Sequence, residues 1–104
     1  SSFQVNRHKL AEMATQIFAT RSLVSTVASR HARGLDVVVD AAMAKNNAVA
    51  MCDYVTDAAV QLHGGMGYMR ESLVERLYRD SRVYGIGGGT TEIMRELIGR
   101  RLFD

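Results

Sequence analysis

The segment from Leu35 to His63, LDVVVDAAMAKNNAVAMCDYVTDAAVQLH, decides the fold class of this chain. The three consecutive valines near its start could form a strand, but the run Ala41–Ala44 favours a helix, because Ala and Met lose little conformational freedom there. Apolar residues recur along the segment every three or four positions, which is the period of one helical face. They are Leu35, Val38, Ala42, Val49, Cys52, Val55, Ala59 and Leu62. We predict one helix from about Leu35 to about His63.

The residues before this segment predict another long helix, from about Phe3 to Ala32. Its apolar residues follow the same spacing: Leu10, Met13, Ile17, Val24 and Val27. Gly34 lies where the C-terminus of a helix favours glycine. Each helix would be about 42 Å long, because an α-helix rises about 1.5 Å per residue. With only Gly34 between them, the two helices must pack antiparallel.

The residues after His63 predict a glycine turn and then a short helix. The turn is expected at His63–Tyr68, which contains three glycines. Ser72-Leu73-Val74-Glu75 has the form of a capping box and predicts a helix from there to about Val83. We expect three side chains of this helix to face inward: Leu73, Leu77 and Tyr78.

A second glycine loop, Gly85–Gly89, predicts the start of a last helix. Thr90 or Thr91 would cap this helix, which runs to about Phe103. Its buried residues are expected to be Ile93, Leu97 and Ile98. The fold class is therefore all-α, an antiparallel helical bundle with two glycine loops.

Composition, charge and cysteine content exclude several classes of protein and of binding site. The 104 residues are 47% hydrophobic and 23% charged, which fits one small globular domain or a piece of a larger one. Residues 1–69 carry six Lys and Arg against five Asp and Glu, and residues 70–104 carry seven against six, so we expect no nucleic-acid partner. The single Cys52 excludes an internal disulfide and a Cys-rich zinc site, and no apolar run is long enough to span a bilayer. We expect a reducing compartment, no metal and no membrane partner.

The second glycine loop allows two interpretations. It leads into a helix N-terminus, where free N–H groups and the helix dipole favour an anion such as a phosphate, or a thioester oxygen. It could equally be a flexible connector. Gly65-Met66-Gly67 is not a dinucleotide fingerprint, because no βαβ unit surrounds it. His63 is interpreted as a group that stabilises the end of its helix.

Three motifs together resemble one known family. Gln61–Tyr68 (QLHGGMGY), Glu75–Asp80 (ERLYRD) and Ile86–Ile93 (IGGGTTEI) closely resemble, in this order and spacing, the C-terminal domain of acyl-CoA dehydrogenases. The resemblance covers essentially the whole chain. It implies an FAD flavoenzyme in which residues 1–104 form part of a C-terminal four-helix bundle. The first helix of that bundle, a middle β-domain and an N-terminal helical domain would then precede Ser1.

The resemblance also implies site residues, by position. One group matches residues near the FAD of a neighbouring subunit, where they wrap its ADP portion: Gln4, Gln61, Leu62, His63, Gly64 and Gly65. Another matches the helix start that meets FAD: Thr90, Thr91 and Glu92. Gly88 and Gly89 match a turn that faces the thioester of the substrate.

Gly88 occupies the position at which many members of the family carry the catalytic glutamate, and glycine cannot abstract a proton. In the isovaleryl- and long-chain-type branches this position is small, and the glutamate comes from an earlier helix of the bundle. The sequence Ile86–Glu92 resembles those branches, so we expect the base before Ser1 and no catalytic residue in this chain. The alternative is an inactive relative that has no base.

The implied activity is α,β-dehydrogenation of a fatty or branched acyl-CoA to the trans-2-enoyl-CoA. A glutamate would remove the α-proton while the β-hydrogen leaves as hydride to the flavin, and hydrogen bonds to the thioester oxygen would stabilise the developing enolate. The resemblance further implies electron-transfer flavoprotein as a partner, a homodimer or homotetramer, and a bacterial cytoplasm or mitochondrial matrix. Residues 1–104 alone should be inactive.

Three other functions remain open at this point. An acyl-CoA oxidase would share the flavin chemistry and pass electrons to oxygen. A DNA-associated relative would need a positive face, and a scaffold bundle would carry no flavin.

Overall fold

A computed structural model describes residues 2–103 of the chain. The helices are α1 (Ser2–Ala32), α2 (Val38–His63), the one-turn α3 (Gly65–Tyr68), α4 (Leu73–Ser81) and α5 (Thr91–Phe103), with a 3₁₀ turn over Arg82–Gly85. No strand occurs in this part of the chain, and none of the helices described is long and apolar enough to cross a membrane. The predicted all-α fold class is confirmed.

In the connection between the two long helices, α1 ends as predicted but α2 begins at a later residue than predicted. Gly34 has a φ of +79°, and the N–H of Leu35 donates to the carbonyl of Arg30, as in a Schellman motif. The prediction that the second helix starts near Leu35 is wrong, because α2 begins at Val38. The Asp36 carboxylate accepts a hydrogen bond from the Val38 N–H at 3.0 Å, and it thereby satisfies the first donor of α2.

α2 is the central element of the bundle, and α1, α4 and α5 all pack against it. Thr20 on α1 is 3% exposed, and its hydroxyl donates to Asn47 Oδ1 on α2 at 2.7 Å. Closer to the connection, Arg30 pairs with Asp40 at 3.0 Å. Residue numbers rise along α1 as they fall along α2, so the two helices are antiparallel, as predicted.

The predicted cap of α4 is confirmed. Ser72 Oγ accepts a hydrogen bond from the Glu75 N–H at 3.2 Å. The carboxylate of Glu75 pairs with Arg79 one turn later instead of returning to the cap. The helix ends at Ser81 and continues as a 3₁₀ turn, close to the predicted end at Val83.

The predicted inward face of α4 is wrong. Leu73, Leu77 and Tyr78 are 63%, 48% and 47% exposed. Ser81 is buried instead, and its hydroxyl lies 3.4 Å from the hydroxyl of Thr56 on α2. The physical reason is that a small polar side chain permits close approach and a polar contact, so that Ser81 occupies the contact with α2 while the larger neighbouring side chains of the same helix face lie at its margins.

The first glycine segment is more ordered than a turn, since it forms α3. Gly67 is buried there, and a Cβ atom on it would clash with the carbonyl oxygen of Val60. Only glycine fits where α3 crosses the last turns of α2.

The core is small: among the residues whose burial is described, the buried hydrophobic side chains are the short ones of Ala42, Ala44 and Val49, all on α2. Among the predicted core residues on other helices, Leu10, Val24 and Ile93 are exposed, which corrects the expectation for them, whereas Leu97 and Ile98 are half-buried. The surface area is 7587 Å², whereas a compact protein of this mass exposes about 5,800 Å². Each outer helix therefore buries only the side that faces α2 and leaves a second apolar side uncovered.

Candidate active-site loop

The loop between the 3₁₀ turn and α5 contains the predicted substrate-facing glycines. Gly88 and Gly89 have φ values of +70° and +108°, a region that favours glycine. The N–H of Gly87 donates to the carbonyl of Val83 at 2.8 Å. The N–H groups of Gly88 and Gly89 have no acceptor within residues 2–103, so both donors remain for a ligand.

Thr90 caps α5, as predicted. Its Oγ1 accepts a hydrogen bond from the Ile93 N–H at 3.1 Å, and its carbonyl accepts one from the Met94 N–H at 2.9 Å. The first N–H groups of a helix have no partner in the helix itself. Those of Thr91 and Glu92 find no other acceptor in the described part of the chain. The start of α5 therefore adds two hydrogen-bond donors to the N–H groups of Gly88 and Gly89. It also adds the positive end of the helix dipole.

Two side chains of α2 hold this loop in place, and the sequence alone did not identify them. Lys45 Nζ donates to the carbonyl of Gly89 and, at 3.3 Å, to the carbonyl of Tyr84. Asn46 Nδ2 donates to the carbonyl of Thr91 at 3.3 Å.

A signal for these two residues is present in the sequence. The apolar spacing along α2 has one gap, between Ala42 and Val49, and Lys45 and Asn46 fill it. A polar residue at a position that faces the bundle requires a buried hydrogen-bond partner. The gap therefore points to a contact with another element, but not to which element.

Cavities lie on both sides of the loop. One is a polar cleft of about 640 Å³, which includes Thr90 and Thr91 in its wall. Its charged residues are three carboxylates and two guanidinium groups: Asp53, Asp57, Glu92, Arg82 and Arg95. The other is an apolar cavity of about 360 Å³ beside Gly88, with walls from Ala48, Cys52 and Val83.

The thiol of Cys52 in the apolar cavity is not an activated nucleophile. Burial, and secondarily the neighbouring carboxylate of Asp53, raise the pKa of the Cys52 thiol. A thiol reacts as the thiolate, which this surrounding disfavours. Cys52 therefore serves as a small apolar part of the cavity wall.

The other predicted group lies at the far end of α2. Gln61, Leu62 and His63 form its last turn, and Gly64 follows with a φ of +61°. His63 Nδ1 lies 2.8 Å from the carbonyl oxygen of Ala59 in the same helix, consistent with its interpretation as a helix-end group. A Cβ atom on Gly64 or Gly65 would meet nothing within 4 Å, so a ligand could approach this backbone closely.

Gln4 belongs to the same end of the molecule. It lies in the first turn of α1, and the antiparallel register set by Thr20 and Asn47 carries that turn to the level of His63. The structure thus brings Gln4 and Gln61–Gly65 to one end of the α1–α2 pair.

The structure does not bring this group to the loop. Thr91 is held beside Asn46, and Gln61 follows Asn46 by about four helical turns, or about 22 Å along α2. The separation applies to Thr91 and the loop, whereas the wall of the polar cleft extends along α2 as far as Asp57, one helical turn before Gln61.

Comparisons with known proteins agree on one family. Residues 1–103 match the family model described as acyl-CoA dehydrogenase, C-terminal domain. The chain is 43% identical over 99 residues to the mitochondrial long-chain specific acyl-CoA dehydrogenase of Rattus norvegicus, which is 95% of this chain and 23% of that protein. It is 38% identical over 102 residues to the caffeyl-CoA reductase-Etf complex subunit CarC of Acetobacterium woodii, covering 98% of this chain and 27% of that protein.

A solved structure shows the same fold. The acyl-CoA dehydrogenase of Geobacillus kaustophilus superimposes with a TM-score of 0.95 at 42% identity, over 100% of this chain and 27% of that chain. The chain thus spans about a quarter of the length of the relatives that it matches.

Proposed function

This chain belongs to the acyl-CoA dehydrogenase family, and on that premise we propose that the full-length protein is an FAD-dependent acyl-CoA dehydrogenase. The reaction would convert a fatty or branched acyl-CoA to the trans-2-enoyl-CoA. The observation that carries the proposal is the loop Gly85–Thr91. It offers unpaired backbone donors between an apolar cavity and a polar cleft.

In this proposal the glycine N–H groups bind the thioester oxygen of the substrate. Removing the α-proton places negative charge on that oxygen, and fixed backbone donors stabilise the charge without reorganising. The apolar cavity beside Gly88 suits a hydrocarbon chain, because its walls include the apolar side chains of Ala48, Cys52 and Val83. Gly88 carries no carboxylate, so the base would come from another part of the full-length protein.

The polar cleft fits an uncharged polar ring system better than a diphosphate. Its three carboxylates outnumber its two guanidinium groups, so a diphosphate placed there would meet net negative charge. The ring edges of a flavin need donors and acceptors, which Thr90, Thr91 and Glu92 supply from the start of α5. When bound, FAD would supply the acceptor for the hydride that leaves the β-carbon.

The group at the end of the bundle would serve the FAD of another copy of the protein. Gln4 and Gln61–Gly65 lie about 22 Å from the loop along α2, which is consistent with contacts to two different cofactor molecules. Uncovered apolar sides on the outer helices also favour association with further copies. We therefore propose a homodimer or homotetramer in which FAD lies between subunits.

Electron-transfer flavoprotein is the proposed redox partner. The similarity to a caffeyl-CoA reductase-Etf complex subunit supports this assignment. The same similarity favours a second candidate function, which is reduction of an enoyl-CoA in the reverse direction. The compartment would be a bacterial cytoplasm or a mitochondrial matrix.

The test is a purification of the full-length protein followed by absorbance and activity measurements. We expect flavin absorbance and conversion of a saturated acyl-CoA to an enoyl-CoA with an artificial electron acceptor. Formation of hydrogen peroxide would identify an oxidase instead. A colourless protein that cannot be loaded with FAD would contradict the proposal.

A further inference from the structure

We propose that Lys45 is a positioning residue that sets the orientation of the Gly89–Thr90 peptide and thereby the register between the substrate turn and the start of α5. This inference rests on the proposed function for its effect on turnover. The geometry that carries it is independent of that function.

Lys45 connects both ends of the glycine loop through one ammonium group. It donates to the carbonyl of Tyr84, just before the loop, and to the carbonyl of Gly89 within it. An ammonium group has three donors and no acceptor, so it can bind two carbonyls simultaneously. Within residues 2–103 no carboxylate forms an ion pair with Lys45, so its charge acts on these carbonyl dipoles.

The second half of the loop has little else to hold it. The backbone hydrogen bond from Gly87 to Val83 fixes the first half. Gly88 and Gly89 donate no hydrogen bond in the described part of the chain, and glycine has more conformational freedom to lose than any other residue. A defined conformation here therefore depends on the side chains of Lys45 and Asn46.

The direction of this peptide determines what the loop presents. In a trans peptide the C=O and N–H groups point in opposite directions. Because Lys45 holds the carbonyl of Gly89 on the side of the apolar cavity, the N–H of Thr90 points away from that side. The polar cleft, which includes Thr90 and Thr91, lies on the other side of the loop. The hydrogen bond from Lys45 to Gly89 thus determines both what the loop presents to the apolar cavity and what it presents to the polar cleft.

The experiment compares variants of the FAD-loaded full-length protein. Lys45→Met keeps the aliphatic stem and removes the donors, and Lys45→Arg restores a cation with several donors. The matched control is Lys9→Met, which alters the one other lysine of the chain, on α1. Hydrogen–deuterium exchange is followed for the peptide that contains residues 84–95, and kcat and KM are measured with octanoyl-CoA. Should Lys45→Met fail to accumulate, Lys45→Gln is judged by the same criteria.

We expect Lys45→Met to speed exchange of the hydrogen-bonded amides in this peptide, among them Ile86, Gly87, Ile93 and Met94, by about 10-fold, because the loop opens more often. It should lower kcat by about 10-fold to 100-fold, since small misplacements of reacting groups have effects of this size. KM should change much less, Lys45→Arg should recover most of kcat, and Lys9→Met should resemble the unaltered protein. Unchanged loop exchange in Lys45→Met would overturn the inference. An inactive but flavin-containing unaltered protein would contradict the proposed function alone, because the exchange measurement would still test the role of Lys45.

Discussion

Gly88 is the residue at which a single side chain should change specificity. It borders the apolar cavity of about 360 Å³, and a Cβ atom there would lie 3.8 Å from the nearest atom, Cε of Lys45. We predict that Gly88→Glu in the full-length protein lowers kcat/KM for long or branched acyl-CoA more than for a short straight-chain one. The added side chain would occupy space that the larger acyl groups need. Kinetics with a series of acyl-CoA chain lengths measures the effect.

A side chain at Gly88 has two effects on activity, backbone strain and loss of space in the cavity, and a control must distinguish them. The φ of +70° makes any side chain at Gly88 unfavourable by about 1–2 kcal/mol. Gly88→Ala introduces the same strain with little volume, so it serves as the control and should lower activity on all chain lengths equally. The prediction is wrong if Gly88→Glu leaves the order of preference among the acyl-CoA substrates unchanged.

Cys52 gives a prediction for pH. Because burial, and to a smaller extent Asp53, raise the pKa of its thiol, alkylation by iodoacetamide should rise with pH through a midpoint above the ordinary value of 9.0. The raised pKa also makes the stability of the protein depend on pH. Below the pKa of the thiol in the unfolded chain, the thiol is neutral in both states and does not oppose folding. Stability is lost as pH rises from there through the higher pKa of the folded state. Asp53→Asn should lower the midpoint only slightly, since burial is the larger cause. A midpoint below 9.0 would contradict the described surroundings of Cys52.

At the scale of elements, the apolar spacing and the capping residues made the helices predictable. The cap at Thr90, the Schellman end at Gly34 and the long helices around it follow from local chemistry within one turn. Which face of each helix is buried was less predictable, because it depends on which other helix packs against it. The periodicity of α4 marks Leu73 and Leu77 as apolar but does not say that α2 will contact Ser81 instead.

The contact between α1 and α2 gives a prediction about local stability. Thr20→Val replaces the buried hydroxyl with a methyl group of similar size and removes the hydrogen bond to Asn47. A hydrogen bond of this kind contributes about 1 kcal/mol. Amides of α1 in the full-length protein should therefore exchange about 5-fold faster.

Thr26→Val is the matched control for this change. Its hydroxyl bonds only to the carbonyl of Ser22 within α1, so it should not affect the pairing of the helices. Equal exchange rates in the two variants would show that the contact with Asn47 does not stabilise the pair.

At the scale of the whole molecule, these residues form an extended bundle with a thin core. The radius of gyration is 16.3 Å, against about 13 Å for a compact chain of this length. Phe18, 74% exposed on α1, and Tyr68, 83% exposed at the end of α3, are among the large apolar side chains at the surface. Such a surface favours further protein contacts.

We predict that residues 1–104 expressed alone bind the dye ANS strongly and self-associate, because their apolar sides have no cover. The full-length protein at the same molar concentration is the control and should bind much less dye. ANS fluorescence and sedimentation measure the two effects. A monomeric fragment with little dye binding and a cooperative thermal transition would contradict this prediction.

The candidate site was only partly predictable from the sequence. The glycine loop and the cap at Thr90 are local features, and the resemblance to a family named the residues around them. The hydrogen bonds from Lys45 and Asn46 were not predictable, because they join residues 39 to 45 positions apart in the chain. The distance between the loop and Gln61–Gly65 likewise depends on how α5 lies along α2, which no local pattern specifies.

The most direct measurement is diffraction from crystals of the FAD-loaded full-length protein. We predict that Thr90 and Thr91 lie within hydrogen-bonding distance of the flavin and that Gln4 and Gln61 contact a cofactor bound mainly by another subunit. If both threonines instead lay in bulk solvent, far from any flavin, the role assigned to the loop would be wrong.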